Sequence, residues 1–194
     1  MTWEALFTLA VLLGAHALRN GYRATIYSYN LQIFDPTWFE PGVDIRGKLA
    51  ARIIARDDPR VRAACEAYLQ FLELGGKVLW EEFSPALLRR FLEQGQPVLT
   101  GLSATYLYRC ERERDDRYDD VRGDPVGHFV VLAPDDPETG DVLVADPLHD
   151  NPRFGSAYYR VGVHRLMAAI LLGIVTYDAN LLVIEPTEVE CPRS

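Results

Sequence analysis

Cysteine is scarce in this 194-residue sequence, and the three present, Cys65, Cys110 and Cys191, are odd in number and widely spaced. That pattern excludes a disulfide framework and the short paired spacings of a zinc site, and it fits a reducing cytoplasm. Positive charge is in deficit too, since 20 Lys and Arg against 28 Asp and Glu leave a formal charge of -8. Such a chain repels phosphate backbones, so nucleic-acid binding is not expected, although a small local basic patch stays compatible with it. The longest apolar stretch, Ala5 to Leu18, falls short of the ~20 residues that cross a bilayer, so no membrane partner is expected. Glu4 is the only charge before it, which leaves no basic leading segment of a secretory signal. Internal repeats and low-complexity tracts are missing. So are a phosphate-binding glycine loop, a Gly-x-Ser-x-Gly elbow and a His-Glu-x-x-His helix. Neither a cofactor nor a metal is expected.

What is present is the composition of a globular protein, 48% hydrophobic and 25% charged. We read one domain over residues 1–186 and a flexible tail over 187–194. Leu6, Leu9, Leu13 and Ala17 fall at helical spacing, predicting a helix over residues 3 to 18 that stops at Asn20-Gly21. His16 lies on or beside its apolar stripe, the pattern of a core histidine. Tyr22 to Tyr29 reads as a strand, and residues 47 to 56 as a short helix. Asp58-Pro59 and Ser84-Pro85 are each an N-cap followed by a first-turn proline. They open helices ending at Gly75-Gly76 and Gly95, with Lys77 to Trp80 a short strand between them. Strand-type runs follow at Val98 to Tyr108, Phe129 to Leu132, Val142 to Ala145 and Asn180 to Ile184, with a helix near Val163 to Ile170. Helices first and strands mostly later predict an α+β fold with helices packed on a mostly antiparallel sheet. Between Glu111 and Asp124 eleven of fourteen residues are charged, which reads as a solvated loop.

The turn formers from Pro134 to Asp141 predict a hairpin between the runs ending at Leu132 and starting at Val142. In its simplest register His128 and Asp146 are direct partners at the open end, on one face of the sheet. An aspartate there accepts a hydrogen bond from one imidazole nitrogen and fixes the tautomer, leaving the other nitrogen for a substrate or nucleophile. A structural His at a strand start and an Asp that caps the Asp146-Pro147 turn fit the same spacing. The cysteines offer little. Cys65 falls in mid-helix on an apolar face, Cys191 in the tail, and Cys110 at the end of a strand, where no helix dipole stabilises a thiolate. Asp115, Asp116, Asp119 and Asp120 lack calcium-loop spacing, and His149 and His164 suggest nothing specific.

The pattern Gly127-His-Phe-Val-Val, with Asp146-Pro147 downstream, resembles the His and Asp motifs of bacteriocin-leader-processing peptidases, a branch of the papain-like cysteine peptidases. Leu6 to Tyr27, with Gly14, Gly21 and Tyr22, is similar to the segment that follows the family's catalytic helix. Gly95-Gln-Pro-Val-Leu is similar to the strand preceding its His motif. The resemblance spans most of residues 5 to 186 and is closest to soluble, cytoplasmic members. It implies a papain-like fold, a peptide or protein substrate, His128 as general base and Asp146 as its orienting partner. The family's nucleophilic Cys, usually followed by Gly, opens a helix upstream of the part that Leu6 resembles, with an oxyanion-hole Gln shortly before it. This sequence contains no match to either. The resemblance therefore implies a peptidase-like domain lacking the catalytic helix and inactive as written. The alternative is a non-catalytic peptide- or protein-binding module on the same fold.

Overall fold

A computed structural model describes residues 10–133, 140–176 and 179–187. Helix α1 (Ala10–Arg19) turns into strand β1 (Tyr22–Ser28) at Gly21, whose φ of +82° is the left-handed conformation that ends a helix. The earlier part of the expected helix, with Leu6 and Leu9, lies outside the described residues. Helix α2 (Ile45–Ala55) packs against α3 (Pro59–Glu73), and β2 (Lys77–Leu79) leads to α4 (Pro85–Glu93). Both expected caps form. Asp58 Oδ1 accepts from the Arg60 N–H at 2.9 Å, and Ser84 Oγ from the Leu87 N–H at 3.2 Å, while Pro59 and Pro85 preset the first helical φ. Where α3 stops, the backbone at Gly76 runs so close to the Phe71 ring that a Cβ there would come within 2.4 Å of it.

The expected long strand from Val98 to Tyr108 is not one element. Strand β3 (Val98–Ser103) ends where Ser103 Oγ accepts the Tyr106 N–H at 3.3 Å, and α5 (Ala104–Tyr108) begins. Its Thr and Tyr residues favour strands, but the cap and the burial of Leu107 and Tyr108 override that preference. The charged stretch is likewise not a plain loop. It forms the hairpin β4 (Glu113–Arg114) and β5 (Arg117–Tyr118), turned by Asp115 and Asp116 at φ +50° and +58°. Two positive φ values define the tight turn whose twist matches paired strands, and Asp tolerates them.

The remaining elements are β6 (Gly127–Ala133), β7 (Asp141–Ala145), β8 (Tyr158–Gly162), α6 (Val163–Leu172) and β9 (Asn180–Pro186). Seven strands make one sheet in the order β2-β1-β9-β3-β6-β7-β8, with only β1 and β2 parallel, so the fold is α+β with a mostly antiparallel sheet. Alternation along the strands separates two cores. On β9, Leu181 and Val183 join a core with α4, α5 and α6, whereas Leu182 between them joins a core with α1, α2 and α3. Helices thus cover both faces. On α4 the buried face is Leu87, Leu88, Phe91 and Leu92, each contributing about 1.5–3 kcal/mol by burial. Among the described residues no helix is long and apolar enough to cross a membrane.

Candidate functional site

His128 is the second residue of β6 and pairs with Leu102 of β3, so its side chain lies on the face carrying α4, α5 and α6. Asp146 follows β7 directly, its N–H donating to the Ala157 carbonyl at 2.8 Å. The hairpin register is two residues out from the expected one. Val131 faces Ala145 and Leu132 faces Val144, so by extension Val130, not His128, stands opposite Asp146. A shift of two preserves the face, because side chains alternate with a period of two. His128 Nε2 and Asp146 Oδ1 meet diagonally at 2.8 Å.

The Asp146 carboxylate is wholly buried, and four donors reach it. Oδ1 accepts from His128 Nε2 and from the Leu148 N–H at 2.8 Å; Oδ2 accepts from the Tyr108 hydroxyl at 2.7 Å and from the Tyr159 hydroxyl. Burial alone would push this carboxyl up. The hydrogen bonds from Tyr159, Tyr108, Leu148 and His128 outweigh it and hold the carboxyl below its ordinary range. Conversely, burial first and Asp146 second push the Tyr108 and Tyr159 hydroxyls far up, so both stay donors. An ionised carboxylate only accepts, which assigns the imidazole proton to Nε2. Nδ1 meets no hydrogen-bond partner among the described residues, and the His128 side chain is 24% exposed.

The surroundings hold this geometry. The Tyr159 ring stacks on Phe154 at 3.8 Å, and the Tyr108 ring centre lies 6.4 Å from that of His128. Buried Asn151 accepts the Phe154 N–H at 2.8 Å and donates to the Leu148 and Ser156 carbonyls, fixing the loop that supplies the Leu148 N–H. Sequence reasoning paired His128 with Asp146, which do meet, and did not anticipate the two tyrosines. Tyr108 was expected in a strand, and β8, with Tyr159, was not expected at all. The alternation of Tyr159 and Val161 inward against Tyr158 and Arg160 outward is the signal that marks it.

No thiol joins the pair among the described residues. Cys65 is buried, and burial pushes its thiol up to about 11. Cys110 follows α5 rather than ending a strand, makes no hydrogen bond to His128, and has its thiol raised by burial, with Glu113 and Glu111 adding to it. Cys191 lies outside the described residues. His16 is exposed beside Asn20 rather than in the core, and His149 is exposed in a loop. Asp119 caps the Val121 and Arg122 N–H groups, and no metal-holding group of His, Cys, Asp and Glu occurs among the described residues. A cleft of about 830 Å³, lined by α4, the turn-side ends of β6 and β7 and the start of α6, contains His164 but lies at the far end of the hairpin from His128. Compared with protein-family models, curated proteins and solved structures, the chain matches none.

Proposed function

We propose that this is a peptidase-like domain related to the papain-like cysteine peptidases of the leader-processing type, with His128 as its proton carrier and Asp146 as its positioning residue. The observation that carries the reading is the bond from His128 Nε2 to a buried, fully bonded carboxylate, with Nδ1 meeting no partner among the described residues. In an amide hydrolysis of that type, a thiol loses its proton to Nδ1 as the sulfur adds to the carbonyl carbon. The imidazolium then returns the proton to the departing amine, and water hydrolyses the thioester. Asp146 keeps the ring in the tautomer this needs. No thiol meets His128 among the described residues, so on this reading the attacking sulfur comes from outside them.

The test is to express the chain together with any codons that precede Met1 in frame. The expected result is hydrolysis of fluorescently labelled casein that iodoacetamide abolishes and that His128→Ala lowers by about a hundredfold or more. A stop codon directly before Met1, or hydrolysis indifferent to His128→Ala, overturns this reading. The lack of a thiol beside His128 among the described residues favours, in that event, a non-catalytic peptide- or protein-binding module on the same fold.

A further inference from the structure

A second cleft, of about 560 Å³, opens between α5, the stem of the β4–β5 hairpin and the end of α6. Its size falls in the range of small-molecule sites. Its polar lining is Ser103, Thr105, Arg109, Cys110, Arg112 and Arg165, with no carboxylate among the lining residues. In a chain of net charge -8, three arginines lining one cleft are a local reversal of sign. None of them forms an ion pair among the described residues. Arg165 donates to the Tyr106 and Leu107 carbonyls and Arg112 to the Asp120 carbonyl, contacts that orient the groups without neutralising them. Burial, then repulsion from Arg153, holds the Arg165 guanidinium below its usual range, and Arg109 adds to the repulsion. Glu111 and Glu113 flank Arg112 in sequence but do not line the cleft.

The hydroxyls add donors. Ser103 Oγ accepts the Tyr106 N–H and Thr105 Oγ1 the Val126 N–H, so each keeps its own proton to give. Beside these polar groups stand Tyr106, Leu172 and Val175, an apolar wall for the uncharged part of a ligand. We propose that this cleft binds a small phosphate monoester, its phosphoryl oxygens on Arg109, Arg112 and Arg165 and its organic part against Tyr106, Leu172 and Val175. Three cations with no ion pair among the described residues suit a dianion better than a single carboxylate, and guanidinium forks match phosphoryl oxygens in geometry. This inference does not depend on the function proposed for His128.

Cys110 lies in the lining and reports occupancy. The full chain is treated with iodoacetamide at constant ionic strength, and labelling of Cys110 is followed by mass spectrometry in inorganic phosphate, phenyl phosphate, potassium acetate or potassium chloride. At about ten times its Kd, a ligand seated there slows labelling about tenfold by mass action. Phenyl phosphate is expected to protect at lower concentration than inorganic phosphate, and acetate and chloride not at all. The double variant Arg109→Gln/Arg112→Gln changes two exposed side chains and is expected to lose protection. As a readout that does not use the thiol, the melting temperature of the unmodified chain should rise with phenyl phosphate and not with chloride. Equal protection by acetate, absence of protection by both phosphates, or protection that survives in the double variant each overturns the proposal.

Discussion

Tyr106 and Tyr108 stand two residues apart on α5, and two opposite electrostatic arrangements meet there. Tyr108 donates to a carboxylate that already holds three other donors, whereas Tyr106 lines a cleft with three arginines that form no ion pair among the described residues. The first arrangement is complete within the chain. Its charge is buried and compensated, which makes it rigid and makes any deletion from it costly. In the second, the proposed ligand would supply the opposite charge. The difference teaches which groups should respond to mutation alone and which only in the presence of an anion.

The largest expected effect breaks the complete side. Asp146→Ala leaves two buried phenol hydroxyls and the Leu148 N–H without their acceptor, and at about 1–3 kcal/mol for each buried unsatisfied group we expect a loss of about 3 kcal/mol or more at neutral pH. Urea unfolding checks this. Arg109→Gln, on the other side of α5, should change stability by less than about 0.5 kcal/mol. If the two variants lose similar stability, the contrast between the sites is wrong.

A pH series sharpens the same contrast. The folded-state pKa of Asp146 is depressed below the unfolded value of about 4, so its contribution is fully present above about pH 5. It declines as pH falls through the unfolded and then the folded pKa, because protonation is easier in the unfolded chain. The stability gap between the wild type and Asp146→Asn should therefore hold from neutral pH to about pH 5 and narrow below it. A gap that widens on acidification contradicts the assignment of Asp146 as the ionised acceptor.

How much of this was legible in the sequence follows from which interactions are local. The caps at Asp58 and Ser84 act within three residues, and the sequence marks them plainly. His128 and Asp146 were paired by hairpin arithmetic, and the two-residue shift spared the pairing because only an odd shift reverses a face. The papain-like resemblance named the same two residues by another route. Tyr108 and Tyr159 were not legible, since they reach Asp146 across 38 and 13 residues and nothing in their own neighbourhoods signals a carboxylate. The arginine cleft was hidden for a related reason. Arg109, Arg112 and Arg165 come from two distant segments, and within the charged run Arg112 reads as one member of a mixed solvated face.

A smaller effect tests whether the two tyrosines act as a unit. Tyr159→Phe and Tyr108→Phe each remove one hydrogen bond to a charged group and should each cost about 1.5–3 kcal/mol. Both hydroxyls bind the same oxygen, so the double variant should cost less or more than the sum by about 0.5 kcal/mol or more. Strict additivity in a double-mutant cycle would mean that Oδ2 does not couple them.

The smallest effect concerns the backbone at the boundary between the sites. Arg109 ends α5 at φ +57°, a left-handed conformation that glycine adopts without steric cost and other residues do not. By local energetics alone this position calls for glycine, and Arg109→Gly should stabilise the chain by about 0.5–1 kcal/mol. The arginine side chain lines the cleft, and retaining it at a strained position makes sense where its charge has a use. The two measurements then separate. A gain in stability together with loss of phosphate protection at Cys110 shows strain tolerated for binding. A gain in stability with protection unchanged removes Arg109 from the site, and a loss of stability means the side chain supports the fold instead.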